Sequence, residues 1–171
     1  DVSYVLQPIL EGNPLVLNEN GGERVVPDPM FRIVATANTV GQGDEFGMYQ
    51  GARPQSAAML DRFSSFIKVP YLSTEQEVEL IKSKHPTLDP AVAETIGRYV
   101  TEHREAFGKA SILMPISPRG VDAIAEHCVT FTGILGNPRT ALKMSFDVTL
   151  LAKASEQDRT VIAGLMKRVI K

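Results

Sequence analysis

The sequence predicts an α/β part at residues 1–70 followed by an all-helical part at residues 71–171. Two apolar runs, at 31–37 and 66–69, have the continuous hydrophobic character of strands buried on both faces of a sheet. After Ser73 the apolar residues recur at helical spacing, and three helix starts combine a capping residue with proline. We therefore predict two domains that meet where the second strand ends.

Turn and capping residues predict the remaining elements. Gly12 is expected to end an N-terminal helix that Pro8 would kink, and an Asn/Gly-rich turn at 18–22 is typical of a hairpin. Ser73 and Gln76 have the spacing of a capping box. The predicted elements are a helix at 2–11, hairpin strands at 15–17 and 24–26, the strand at 31–37, a long loop at 39–54, a short helix at 56–63, the strand at 66–69, a helix after Ser73, helices from Asp89, Ser117 and Asn137 to about 107, 132 and 154, and a last helix from 155 or 156 to 169.

Composition narrows the class of protein. Apolar residues make up 43% and charged residues 22% of the chain, which is typical of a globular protein. The formal net charge of −2 gives no electrostatic reason to expect a nucleic-acid partner. The single cysteine, Cys128, excludes an internal disulfide framework and favours a reducing compartment.

Because no apolar run approaches the length of a membrane span and no signal segment is present, we expect a cytoplasmic protein that does not enter a membrane. The first residue is Asp rather than Met, so we expect the chain to be part of a longer protein.

Three polar residues are candidates for chemistry. Asn38 follows the predicted strand at 31–37, where open α/β sheets bind ligands, and its amide could orient an attacking water or contact a terminal phosphate of a bound nucleotide; the alternative is local turn hydrogen bonding. Arg62 ends a short helix and could stabilise phosphoryl charge in a neighbouring subunit, or be a surface arginine paired with Asp61 or Glu45. Arg119 lies in the first turn of a helix, which with a guanidinium makes an anion site, although it could simply be solvated.

Other patterns do not support a site. The glycines at 41–47 are spaced wrongly for a dinucleotide fingerprint, and Gly108-Lys109 is followed by Ala110, which has no hydroxyl for Mg²⁺. The sequence therefore contains no phosphate-binding loop. The three histidines lack the spacing of metal ligands, so we predict no protein-bound transition metal.

In this order and spacing, several stretches resemble the AAA+ ATPases of the MoxR/chelatase group, and within it the cobaltochelatase type. The resemblance covers residues 1–70 well and the helical part loosely. The run at 31–43 together with Asp61-Arg62 is specific, whereas the Ser-Pro-Arg tripeptide alone is weak. The matching stretches are DVSYVLQPILE at 1–11, FRIVATANTVGQG at 31–43, GMYQG at 47–51, MLDRF at 59–63 and SPR at 117–119.

The resemblance implies a fold and a role for each candidate. The fold would be the C-terminal half of an AAA+ αβα core, with a β-hairpin before sensor 1, followed by a helical lid domain. Asn38 would be the sensor-1 residue that positions the attacking water, and Arg62 the arginine finger of the adjacent subunit. Arg119 would be sensor 2, acting in its own subunit or in a neighbour. The cofactors would be ATP and Mg²⁺, and both would need an upstream Walker A loop and Walker B Asp-Glu pair, so these 171 residues alone are expected to be inactive.

The resemblance also implies an assembly and an activity. We expect a homo-oligomeric, hexameric ring with a protein partner subunit, in which ATP hydrolysis drives metal insertion or the remodelling of a protein. The stretch at 52–54 differs from that expected of chelatases, which leaves a MoxR-type chaperone ATPase unrelated to metal chelation as an alternative. A second alternative is a non-catalytic interaction module with the same fold. A nucleic-acid motor is disfavoured by the net charge and by the lack of a basic stripe.

Overall fold

The computed structural model describes residues 5–37 and 56–170, most of which are helical. The chain divides into two compact units, with the division between Val69 and Pro70. The first unit contains a two-stranded antiparallel sheet, and the second contains five α-helices in its described residues. No helix in the described ranges is both long enough and apolar enough to cross a membrane.

The first unit begins with one helical turn, α1, at Gln7–Leu10. Pro8 occupies one of the first two helical positions, where its missing N–H would be unpaired in any case, so it opens the helix rather than kinking it. Gly12 adopts a left-handed φ of 77° after the helix, as expected for a glycine stop. The predicted helix is therefore confirmed in shorter form, and residues 2–4 of that prediction lie outside the described residues.

The predicted hairpin is confirmed. Strand β1 at Leu15–Leu17 pairs antiparallel with β2 at Glu23–Val25, with Leu15 opposite Val25 and Leu17 opposite Glu23. A 3₁₀ turn at Asn18–Asn20 connects them, followed by two glycines with positive φ. Only residues without a Cβ adopt these φ values without strain, which explains the Gly-Gly pair in this turn.

The two predicted core strands, at 31–37 and 66–69, are wrong for this structure. Both segments have irregular backbone. The side chains of Val34, Ile67 and Val69 are 89%, 86% and 84% exposed. A strand is stabilised by hydrogen bonds to a neighbouring strand, and in the described ranges β1 and β2 pair with each other alone. The apolar composition of these segments is that of buried strands. A segment becomes a strand only when a neighbouring strand pairs with it, and the described residues contain no such neighbour for either segment.

A short helix, α2, closes the described part of the first unit. It spans Ala57–Leu60, and the Oγ of its N-cap Ser56 accepts a hydrogen bond of 3.2 Å from the backbone N–H of Met59. This confirms the helix predicted at 56–63, in shorter form. Asp61 and Arg62 follow directly, so the cap fixes the turn from which the Arg62 side chain projects.

The five helices of the second unit begin where capping residues predict. Ser73 and Gln76 form the predicted capping box, and Ser117, Asn137 and Ser155 each accept a hydrogen bond from the third residue of the helix that follows. Gly136, with φ of 64°, ends α5. The helices are α3 at Thr74–Lys84, α4 at Pro90–Gly108, α5 at Pro118–Leu135, α6 at Pro138–Thr149 and α7 at Glu156–Val169.

Helix α4 forms the centre of the second unit and packs against each of the other four helices. Tyr99 of α4 and Phe146 of α6 are fully buried, with their rings tilted by 56° and their centroids 4.4 Å apart. Gly97 allows α3 to approach closely, because a Cβ at this position would lie 2.4 Å from Cγ2 of Val78. Other fully buried apolar residues of this core are Ala93, Ile96, Ile124, Ala125, Cys128, Ala141 and Ile162.

A buried ion pair links α3 to α4. Glu77 is 2% exposed, and its Oε1 lies 2.6 Å from Nη2 of Arg104. The Glu77 carboxylate and the Arg104 guanidinium are close enough for an ion pair, but their geometry does not meet that of a hydrogen bond. Nε of Arg104 also has no hydrogen-bond partner among the described residues. The Arg104 guanidinium also lies over the ring of Tyr71, 4.0 Å from its centroid. Arg104 thus connects the first residues of the second unit to its core.

A buried histidine joins α4 to the segment before α5. Nε2 of His103 lies 2.9 Å from the carbonyl oxygen of Met114, which can only accept, so Nε2 carries the proton. Nδ1 is then free to accept from the Tyr99 hydroxyl at 3.1 Å. Burial lowers the pKa of His103, and the nearby Arg104 adds to this, while the Met114 carbonyl and Asp158 oppose it. The neutral imidazole therefore has both of its nitrogens satisfied.

We expect His103 to make the stability of the second unit depend on pH. Its folded pKa lies below its unfolded value of about 6.5, so the unfolded chain binds more protons between the two values and stability falls as the pH drops through this range. Urea unfolding of the wild type and of His103→Gln at about pH 7.5 and pH 5.5 measures this contribution. The variant should be less stable than the wild type at both pH values. Its free energy of unfolding should, however, fall less than that of the wild type when the pH is lowered. An equal loss in the two proteins would assign the pH dependence to other groups.

Candidate functional site

The three candidate residues occupy different parts of the molecule. Asn38 lies outside the described residues, and the segment 31–37 before it is not a strand in this structure, so the expected placement of Asn38 at a strand end is not supported and its role stays a prediction. Arg62 belongs to the first unit and Arg119 to the second. Each arginine is placed at a helix end, as the sequence predicts.

Arg62 is held by contacts within the first unit. Its Nε donates a hydrogen bond of 2.7 Å to Oε1 of Glu11, and its Nη2 contacts the same oxygen. Its Nη1 donates to the carbonyl oxygen of Ala58 in α2. The arginine thereby connects the end of α2 to the residue that follows α1.

The contact with Arg62 also changes the acidity of Glu11. The hydrogen bonds from Arg62 are the main reason that the pKa of Glu11 lies below its usual value, and Gln7 contributes in the same direction. The side chain of Arg62 is 22% exposed. Pairing with a carboxylate is the alternative that the sequence left open for Arg62, but the observed partner is Glu11 and not Asp61, and Glu45 lies outside the described residues.

Arg119 lies in the first turn of α5, directly after the N-cap Ser117 and Pro118. Its side chain is exposed. The Oγ of Ser117 accepts a hydrogen bond of 3.3 Å from the N–H of Gly120. The free backbone N–H groups of a helix N-terminus favour negative charge, and an exposed guanidinium beside them adds to this preference. The arrangement is chemically suited to contact phosphate oxygens.

A cleft that the sequence analysis missed lies between α4, α6 and the C-terminal end of α7. It has a volume of about 530 Å³ and contains Arg98, Arg139 and Arg168 with a single carboxylate, Glu102. We call it the arginine cleft. Each arginine comes from a different helix, so no local pattern in the sequence could have revealed it.

Two of the candidate residues are among the described ones, one in each unit. Arg62 and Arg119 are chemically suited to phosphate oxygens, which prefer guanidinium groups. Within 5–37 and 56–170, no three side chains of His, Cys, Asp or Glu are grouped closely enough to hold a metal ion.

Comparison with known proteins reveals one informative relative. No protein-family model matches the chain, and no solved structure matches it. The chain is 33% identical over 173 aligned positions to the aerobic cobaltochelatase subunit CobS from a Sinorhizobium species. The alignment covers 98% of this chain and 49% of the relative. The chain spans about half the length of the curated relative that it matches, and over that span its sequence is similar to that of CobS.

Proposed function

We propose that this chain is part of the ATPase subunit of a cobaltochelatase-like enzyme, in which ATP hydrolysis drives the insertion of a metal ion into a macrocycle. The observation that carries the proposal is the 33% identity with the aerobic cobaltochelatase subunit CobS over 98% of the chain. The order of the resembling stretches supports the same assignment and adds the AAA+ ATPase class. In this proposal residues 1–70 belong to the C-terminal half of the AAA+ core, in which the segments at 31–37 and 66–69 would become strands only when paired with the upstream half, and residues 71–171 belong to the helical lid.

The proposal gives the three candidate residues separate tasks. When bound, ATP supplies the phosphoryl group that is transferred to water. The amide of Asn38 would orient the attacking water, and the guanidinium of Arg62 would stabilise phosphoryl charge in the adjacent subunit of a ring, expected to be hexameric. Arg119 would contact phosphate oxygens from the lid. Walker A and Walker B segments elsewhere in the full protein would hold the phosphates and Mg²⁺.

The contact between Arg62 and Glu11 supports a specific role for the carboxylate. A long arginine side chain loses much rotamer freedom when it acts on a neighbouring subunit. Glu11 and the Ala58 carbonyl restrict Arg62 before any such contact is made. We therefore propose that Glu11 is a positioning residue for Arg62.

The function is tested with the full-length protein and its companion subunits. We expect ATP hydrolysis by the purified full-length protein, and ATP-dependent incorporation of Co²⁺ into a corrin-type macrocycle when the companion subunits are added. Hydrolysis without metal insertion would favour a chaperone ATPase. Absence of both activities, together with absence of a Walker A motif in the full gene product, would favour a non-catalytic interaction module.

Arg119→Ala tests the proposed lid contact. Loss of one charged hydrogen bond to phosphate should lower ATP turnover by about 10- to 100-fold. Arg159→Ala is the matched control, because Arg159 is also an exposed arginine near the N-terminal end of a helix, α7. Steady-state ATPase assays of both variants measure the difference. Equal turnover in the two variants would remove Arg119 from the site.

A further inference from the structure

We propose that the arginine cleft binds an acidic peptide segment of a protein partner. The proposal is independent of the ATPase assignment, because all residues of the cleft lie in the second unit and none is a candidate for nucleotide chemistry. The observations that support it are the charge, position and surroundings of four residues that line the cleft, Arg98, Arg139, Arg168 and Glu102.

The charge of the cleft differs from that of the whole chain. The chain has a formal net charge of −2, whereas three arginines and one glutamate line this cleft. The excess of positive charge is local, so it would attract an anionic ligand at short range rather than steer nucleic acid from a distance.

The arginines are largely free to bind. Nη2 of Arg168 lies 3.0 Å from Oε2 of Glu102, and the Arg168 side chain is still 67% exposed. Arg98 makes a long contact of 3.4 Å to Oγ1 of Thr95 on its own helix, and Arg139 is exposed in the first turn of α6. Because a guanidinium has five N–H donors, these exposed arginines retain donors for further carboxylates.

The lining of the cleft also contains apolar side chains, including Val92, Leu142 and Ile170. A lining that combines apolar side chains with arginines suits a segment that carries both aliphatic and acidic side chains, since arginine is enriched where proteins bind one another. The arginines come from three helices, so together they match several carboxylates spread along a peptide better than one small anion.

The binding test uses two labelled peptides of about a dozen residues. The acidic probe is rich in Glu and Leu, and the neutral probe has Gln in place of every Glu. Fluorescence anisotropy with the full-length protein should show saturable binding of the acidic probe and much weaker binding of the neutral probe. Affinity for the acidic probe should fall between about 50 and 200 mM salt, because screening weakens exposed ion pairs.

Substitutions in the arginine cleft test whether the acidic probe binds there. Arg139→Gln should lower the affinity for the acidic probe by about threefold to fivefold. The Arg98→Gln/Arg139→Gln double variant should lower it by about tenfold. Lys143→Gln is the matched control, because Lys143 is an exposed cation on the same helix outside the cleft, and it should change affinity by less than about twofold. Glu102→Gln should strengthen binding, since it removes the carboxylate that competes for Arg168. Far-UV circular dichroism confirms that each variant is folded.

Four results would overturn the proposal. One is equal affinity for the two probes, and another is an equal loss of affinity in Lys143→Gln and Arg139→Gln. A third is displacement of the acidic probe by inorganic phosphate at a lower concentration than by unlabelled acidic peptide, which would make the cleft a small-anion site. The fourth is self-association in sedimentation experiments that Arg139→Gln abolishes, which would make a second copy of the chain the occupant.

Discussion

Arg62→Ala in the full-length protein is expected to lower ATP turnover by about 10³-fold or more while leaving nucleotide binding nearly unchanged. The physical reason is that an arginine finger stabilises charge that develops only in the transition state, so its loss affects the rate and not the affinity. Turnover is measured by phosphate release and binding by titration with a fluorescent nucleotide. Rings mixed from wild-type and variant subunits should recover part of the activity if Arg62 acts on the adjacent subunit.

Two controls separate this role from a structural one. Arg24→Ala removes an exposed arginine from strand β2 of the same unit and should leave turnover unchanged. Glu11→Gln keeps the shape of the partner but removes its charge, so it should lower turnover less than Arg62→Ala does. Wild-type turnover in Arg62→Ala would exclude the residue from the site, and equal losses in Arg24→Ala would indicate a general effect on folding.

The second large effect concerns stability. Arg104→Ala should lower the free energy of unfolding of the second unit by about 3–5 kcal/mol, because it leaves the carboxylate of Glu77 buried without a counter-charge. It also removes the guanidinium from the face of Tyr71. Urea unfolding followed by circular dichroism at a helix-sensitive wavelength measures the change, since the second unit contains the five long helices.

An exposed ion pair between the same two helices provides the control. Nζ of Lys82 in α3 lies 3.0 Å from Oε1 of Glu94 in α4, and both side chains are well exposed. Lys82→Ala should therefore cost less than about 1 kcal/mol. Glu77→Leu/Arg104→Met replaces both buried charges with apolar groups and should recover much of the loss. A double variant as unstable as Arg104→Ala would contradict the proposed cause.

The helices of the second unit could be predicted because their signals are local. A serine or asparagine that caps a helix acts on backbone N–H groups within the next three residues, and so the starts after Ser73, Ser117 and Asn137 follow directly from the sequence. The hairpin is also local, since the Gly-Gly turn determines its register. The end of α6 is less predictable: a 3₁₀ turn at Leu151–Lys153 follows it where the sequence favours continued helix.

Non-local features could not be predicted in the same way. The apolar runs at 31–37 and 66–69 carry the composition of buried strands, but pairing depends on neighbours that composition does not identify. The partners Glu77 and Arg104 lie on different helices, as do the three arginines of the cleft. For the candidate site, the sequence places Arg62 and Arg119 correctly at helix ends, while the association of Arg62 with Glu11 depends on how the first unit folds.

The exposed apolar runs of the first unit have a practical consequence for handling the protein. The run at 31–37 combines β-branched and aromatic residues without proline, the composition of segments that pair with copies of themselves. Val34 within this run is 89% exposed and Phe31 46%. A polypeptide of these 171 residues produced alone is therefore prone to accumulate in inclusion bodies, whereas the helical segment after Val69 has most of its large apolar side chains inside its own core and suits separate expression.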